Sequence, residues 1–136
     1  MTDRMPSIAP IVRYRDVRAG MEFLVRAFGF EEHEVHEGPD GEPAHVELRY
    51  DGAIVMPSGE TASRDEFAGR AGQSWVYVVV EDADAHHARA RAEGAEIVTE
   101  LTSTDYGSRD YTARDIDGNL WSFGTYRPSP PGAPST

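Results

Sequence analysis

The chain has no cysteine among its 136 residues. That removes a disulfide framework, a thiolate nucleophile and a thiolate metal site. It has no lysine either: all 13 basic residues are arginine. Schiff-base chemistry and a phosphate-binding P-loop lysine are excluded with it. Positive charge is scarce, with 24 acidic side chains and a formal net charge of −11. Such a surface suits neither nucleic acid nor an anionic membrane, whereas a cationic small molecule is compatible with it. No apolar run approaches the length needed to span a bilayer. Met1 to Pro10 also lacks the basic start and apolar run of a secretory signal. The expectation is a cytoplasmic protein with no membrane or nucleic-acid partner.

What the chain does contain is a repeat. Asp16 and Asp82 each open a helix-like stretch, and they lie 66 residues apart. Asp51-Gly52 and Asp117-Gly118 read as hairpin turns, again 66 apart. Asp16 suits an N-cap, and Val17, Met21, Leu24 and Phe28 follow at helical spacing before Gly29. Strands are expected over 8–14, 31–36, 44–50 and 53–57, giving β-α-β-β-β. The second half repeats the order, with strands over 74–80, 97–101, 108–116 and 119–126 and a helix from Asp82 to about Glu93. Residues 58–73 read as a connecting loop. The proline-rich stretch 128–136 reads as a disordered tail. A duplicated unit of this size suggests two similar modules with a site between them.

This plan, with the opening stretch Tyr14 to Phe30 and the closing stretch Asp115-Ile-Asp-Gly-Asn-Leu-Trp-Ser-Phe-Gly-Thr-Tyr126, resembles the glyoxalase/bleomycin-resistance/dioxygenase superfamily, the vicinal oxygen chelate proteins. The resemblance implies a single α+β domain of tandem βαβββ modules, one over 7–57 and the other over 74–127. Curved mixed sheets would form a cup-shaped cavity, with helices on the outer face. It also implies a homodimer in which modules of two chains complete each cup. Metal-using members draw four ligands from matching places in the two modules. Carried onto this chain, those places are Ala9 and Trp75 on the first strands, and Met56 and Ser122 after the hairpins. The repeat pairs the same four residues. None is a normal ligand for a divalent metal, so no cofactor is expected, and a metal held elsewhere is the alternative.

Strand alternation predicts what shares the cavity face. Arg13 joins Ala9, and Trp75 is followed by Tyr77. A two-residue turn at Asp51-Gly52 sets Glu47 opposite Met56 and His45 opposite Ser58, with Arg49 on the same face. A two-residue turn at Asp117-Gly118 sets Ala113 opposite Ser122 and Tyr111 opposite Gly124. The expected ligand-binding set is Arg13, His45, Glu47, Arg49, Trp75, Tyr77, Tyr111 and Ser122. Trp121 falls on the core face by the same parity. Arg114 also falls there, and the pattern gives no account of it.

Two chemistries fit these residues. His45 and Glu47 read as a general base with its orienting partner, or as half of a relocated metal site. The plainer reading is a polar strand face with Glu47 paired to Arg49 or Arg13. Trp75, Tyr77 and Tyr111 read as a wall that stacks on a planar or cationic ligand, or as a filled dimer core. His86 and His87 read as packing or surface residues of the second helix, and His33 and His36 as a solvated strand edge. Residues 106–109 read either as a lip over the cavity or as an ordinary turn. The functional expectation is a metal-independent protein that binds a small aromatic or cationic molecule, an antibiotic being one such guest. The alternative is a glyoxalase-like lyase, isomerase or dioxygenase.

Overall fold

The computed structural model describes residues 7–60 and 70–128. Most of the connecting loop and of the proline-rich tail, the latter from residue 129, lie outside the described residues. The elements run β1 Ile11–Tyr14, α1 Val17–Phe28, β2 Glu31–Glu37, β3 Pro43–Tyr50, β4 Ala53–Gly59, β5 Trp75–Val79, α2 Ala83–Ala92, β6 Glu96–Ser103, β7 Arg109–Arg114 and β8 Leu120–Gly124. They form two four-stranded mixed sheets, ordered β1-β4-β3-β2 and β5-β8-β7-β6. This is the α+β, tandem βαβββ architecture read from the sequence; several strand ends differ by one to three residues, where pairing rather than pattern sets the limit.

The repeat holds down to the register. The parallel pair β1/β4 matches Ile11 with Met56, and the parallel pair β5/β8 matches Tyr77 with Ser122. Both helices begin on an aspartate cap: the Asp16 carboxylate accepts from the Ala19 N–H and that of Asp82 from the Ala85 N–H. Helix α1 buries Met21, Phe23, Leu24, Ala27 and Phe28. Helix α2 buries only Ala83 and Ala90. One core joins both modules, with Val12, Tyr14, Val46, Leu48, Trp121 and Phe123 at its centre.

The two hairpins are not alike. Tyr50 pairs with Ala53, so Asp51-Gly52 is the expected two-residue turn. In the second module Arg114 pairs with Leu120, and the Asp115 N–H donates to the Asn119 carbonyl at 3.0 Å. Ile116, Asp117 and Gly118 are left as a three-residue loop whose glycine takes a φ of 96°, the left-handed place that closes such loops. The Asp115 carboxylate supports the wider loop by accepting from the backbone N–H groups of Asp117 and Asn119, each at 3.0 Å.

Asp115 is also the seam between modules. It is 6% exposed, and its carboxylate accepts from the Tyr14 hydroxyl at 2.6 Å and the Trp121 indole at 2.9 Å. Burial, reinforced by the Asp115 charge, holds the Tyr14 hydroxyl well above its ordinary pKa, so Tyr14 stays a donor. Beside it, Asn119 Nδ2 donates to the Arg13 carbonyl and Asp117 pairs with Arg15 at 2.9 Å. On the helix side, α2 caps α1. Arg89 donates to the carbonyls of Val25 and Arg26, and His86 Nε2 donates to that of Phe28 at 2.8 Å.

Candidate functional site

Each sheet turns one face to the helices and leaves the other open. On the first sheet, Val12, Tyr14, Val46 and Leu48 face the core, so Ile11, Arg13, His45, Glu47 and Arg49 share the open face. Arg13 Nη1 donates to the Gly59 carbonyl at 2.7 Å. His45 Nε2 lies 2.7 Å from a Glu47 carboxylate oxygen. Arg49 pairs with Glu31 at 2.6 Å, not with Glu47. Among the described residues the charged-group partners of Glu47 are therefore histidines, His45 at one carboxylate oxygen and His33 at 4.0 Å from the other. His36 is the cross-strand neighbour of His45 and pairs with Glu34 at 3.0 Å. The edge reading of His33 and His36 fits their place on β2, the outer strand of its sheet.

On the second sheet, Trp75, Tyr77 and Ser122 share the open face. The Trp75 indole N–H donates to Ser122 Oγ at 2.9 Å, and the Tyr77 hydroxyl donates to the Tyr126 carbonyl at 2.7 Å. Both polar tips are tied, yet the side chains stay open to solvent, with Trp75 71% and Tyr77 41% exposed. Large aromatic side chains left this open on a sheet face make it a candidate binding surface.

Tyr111 does not belong to this face. It is 1% exposed and pairs across the ladder with Phe123, not Gly124. The three-residue loop at Asp117-Gly118 slips β7 by one residue against the two-residue expectation, and a slip of one turns every side chain over. Tyr111 thus enters the core, where its hydroxyl bonds His86 Nδ1 at 2.6 Å. Burial raises the pKa of Tyr111 and lowers that of His86, so the pair is neutral: Tyr111 donates and the imidazole accepts. His86, expected on the helix surface or in packing, is a half-buried core group stacked among Phe28, Phe123 and Tyr111. His87 bonds Glu100 at 3.0 Å.

The same slip brings three residues to the open face that sequence reasoning missed there. Thr112 Oγ1 lies 2.7 Å from Ser122 Oγ. Asp110 pairs with Gly124 across the ladder. Arg114, out of place under the expected parity, turns outward to Glu96 at 3.6 Å. Arg114 was the readable signal: a charge on a face of Val and Phe argues for a slipped register.

The four positions where metal-using relatives place ligands hold Ala9, Met56, Trp75 and Ser122. Ser122, the only hydroxyl among them, is already bonded to Trp75 and Thr112. A thioether, a methyl, an indole and an engaged hydroxyl do not fit a resident divalent metal. Among the described residues, no three His, Asp or Glu side chains converge into a metal-binding group. Two grooves lie where the modules meet. One, of about 380 Å³, is lined by Phe30, Tyr50, Ile54, Val76, Val78 and Arg127 among others. The other, of 470 Å³, holds Glu81, Asp82, His86 and Arg89. Tyr77 reaches the first, whereas Trp75, Ser122, His45 and Glu47 line neither. No helix among the described residues is long and apolar enough to cross a membrane.

Comparison with known proteins agrees with the fold. Residues 4–123 match the family model described as Glyoxalase/Bleomycin resistance protein/Dioxygenase superfamily. An uncharacterized protein of Mycobacterium bovis is 30% identical over 127 residues, covering 88% of this chain and 82% of its own length. Among solved structures, TioX from Micromonospora sp. ML1 is 33% identical with a TM-score of 0.73, over 87% of this chain and 98% of TioX. A superfamily member from Sphaerobacter thermophilus shares the fold at 16% identity and a TM-score of 0.69, over 89% of this chain and 98% of that one. With the repeat, the two mixed sheets and these matches in hand, the chain belongs to the glyoxalase/bleomycin resistance/dioxygenase superfamily.

Proposed function

We propose that this chain is a metal-independent small-molecule-binding protein that uses the open face around Trp75 as a ligand wall. One observation carries the reading: the two places in the second module where metal-using relatives hold ligands are occupied by an indole and a hydroxyl bonded to each other at 2.9 Å. The chemistry available there is stacking and hydrogen bonding, not Lewis-acid activation. The guest is an aromatic or cationic compound, antibiotics included, held stoichiometrically. A second copy of the chain supplies the opposite wall, setting Arg13, His45, Glu47 and Arg49 of its first module across from the aromatic pair.

The test is elemental analysis after incubation with iron, nickel, cobalt, manganese and zinc, followed by desalting. The expected result is no stoichiometric metal. One metal per protomer would overturn the reading and turn attention to His45 and Glu47.

A second reading is an enzyme, favoured by the 2.7 Å contact between His45 and Glu47. A carboxylate at that distance orients an imidazole as a general base, and Arg13 or Arg49 would hold an anion. Turnover of a small metabolite that survives a chelator and is lost in His45→Ala would support it.

A further inference from the structure

We infer that Trp75 and Tyr77 form a preorganised stacking platform for a flat aromatic cation, with Ser122 and Gly124 as positioning residues and Asp110 setting the charge preference. This rests on the reading of the open face as a ligand wall.

Geometry sets the shape of the guest. Trp75 is in ladder register with Leu120, yet its indole bonds Ser122, two residues further along β8. Tyr77 is in register with Ser122, yet its hydroxyl reaches past Gly124 to the Tyr126 carbonyl. Both rings therefore lean the same way across β8, laid over the sheet instead of standing off it. Gly124 makes this possible: a Cβ there would come within 2.7 Å of the Tyr77 hydroxyl oxygen and 3.1 Å of its ring. Ser122 is in turn held by Thr112 at 2.7 Å, so the hydroxyl that fixes the indole is itself fixed. Two rings tied at their polar tips lose little further freedom when a ligand stacks on them. A flat guest matches such a surface.

Charge sets the rest. Asp110 faces Gly124 at the Tyr77 end of the platform, and its carboxylate accepts only from the Ser108 hydroxyl, at 3.3 Å, among the described residues. The neighbouring arginines are engaged elsewhere, Arg109 with Asp84 at 3.0 Å and Arg114 with Glu96 at 3.6 Å. With no ionic partner among the described residues, the anion at the Tyr77 end of the platform favours a cation by direct attraction, and the ring quadrupoles favour one as well.

The experiment titrates the full chain with proflavine, a planar cation, and with 9-anthracenecarboxylate, a planar anion of similar size. Wild type is expected to bind proflavine at least about tenfold more tightly. Trp75→Ala is expected to weaken proflavine about tenfold. Ser122→Ala should weaken it less and leave the indole more open to acrylamide quenching at unchanged circular dichroism, and Ser122→Thr should restore both. Asp110→Asn should bring the two dyes close to parity. Equal affinity for the dyes in wild type, or proflavine affinity unchanged in Trp75→Ala, would overturn the platform. Failure of proflavine to bind would overturn it as well. Stoichiometric metal in the elemental analysis with this dye pattern intact would overturn the metal-independent reading alone and leave the platform standing.

Discussion

The two modules share one plan and divide the labour differently. At equivalent places, the first has Leu24 and the second Ala90, both fully buried. The first has Gly20, where a Cβ would run into the Tyr14 ring, and the second has His86, a half-buried ring among Phe28, Tyr111 and Phe123; the strand residue equivalent to Tyr14 is the smaller Val80. The first has Arg49, ion-paired on the open face, and the second Asp115, buried in the seam. So α1 supplies large apolar side chains to the common core where α2 supplies only alanines, and the second module supplies Asp115, His86 and Arg89, the polar groups that fasten the pair. The open faces divide as well: charged and histidine-bearing on the first sheet, aromatic on the second. A duplicated fold lets its two helices diverge, one toward packing and the other toward fastening, while both sheets still fill the common core.

The sharpest way to break this comparison is at Arg49 and Asp115. Asp115→Ala leaves the Tyr14 hydroxyl, the Trp121 indole and two backbone N–H groups without their acceptor. Buried donors left unmade cost about 1–3 kcal/mol each when water cannot replace the partner. We expect a loss of about 4 kcal/mol in urea unfolding, while Arg49→Ala changes stability by less than about 0.5 kcal/mol. Similar losses in both variants would mean that the seam does not run through Asp115.

Next comes the helix pair. Leu24→Ala opens a cavity under α1 and is expected to cost about 3 kcal/mol. Ala90→Gly at the matching place on α2 removes one methyl group and some helix propensity, for about 1 kcal/mol. Urea midpoints of the two variants measure the ratio directly. A cost at Ala90 equal to that at Leu24 would show that α2 packs as heavily as α1.

Much of this was legible from residue order, because the repeat, the aspartate caps and the apolar stripe of α1 are local signals. The open face of the first sheet was legible for the same reason, since a two-residue turn fixes register by counting. The second sheet was not, because Asp-Gly dipeptides close both two- and three-residue loops. What decides between them at Asp117-Gly118 is the Asp115 carboxylate folding back onto Asp117 and Asn119. That carboxylate is held in turn by Tyr14, more than 100 residues away, and no local pattern carries such a contact. Tyr111 was misassigned for that reason alone, and Asp110 and Thr112 were missed with it.

The fastening role of α2 predicts a pH dependence. Burial depresses the pKa of His86, so the folded protein favours the neutral ring. The stabilisation is complete above the unfolded value of about 6.5 and is lost as pH falls through the lower folded value. Urea midpoints are expected to fall from pH 7.5 to pH 5, and to fall less in His86→Gln, which keeps a donor for the Phe28 carbonyl but does not titrate. Equal slopes in the two proteins would remove His86 from the account.

The smallest effect belongs to the histidine face. His45 bonds Glu47 on a half-exposed strand, and its side chain is 48% exposed. A contact of that kind gains little over two solvated groups, because water competes for both partners and fixing two side chains costs rotamer freedom. His45→Ala is therefore expected to shift stability by no more than about 0.5 kcal/mol, leaving dye binding on the opposite module's platform unchanged in a dilute monomer. The informative measurement is the same dye titration at concentrations where the chain self-associates. If a second copy sets its first module across from Trp75, His45→Ala alters affinity only there. A concentration-independent effect would tie His45 to the aromatic platform within one chain, where the two faces belong to separate sheets.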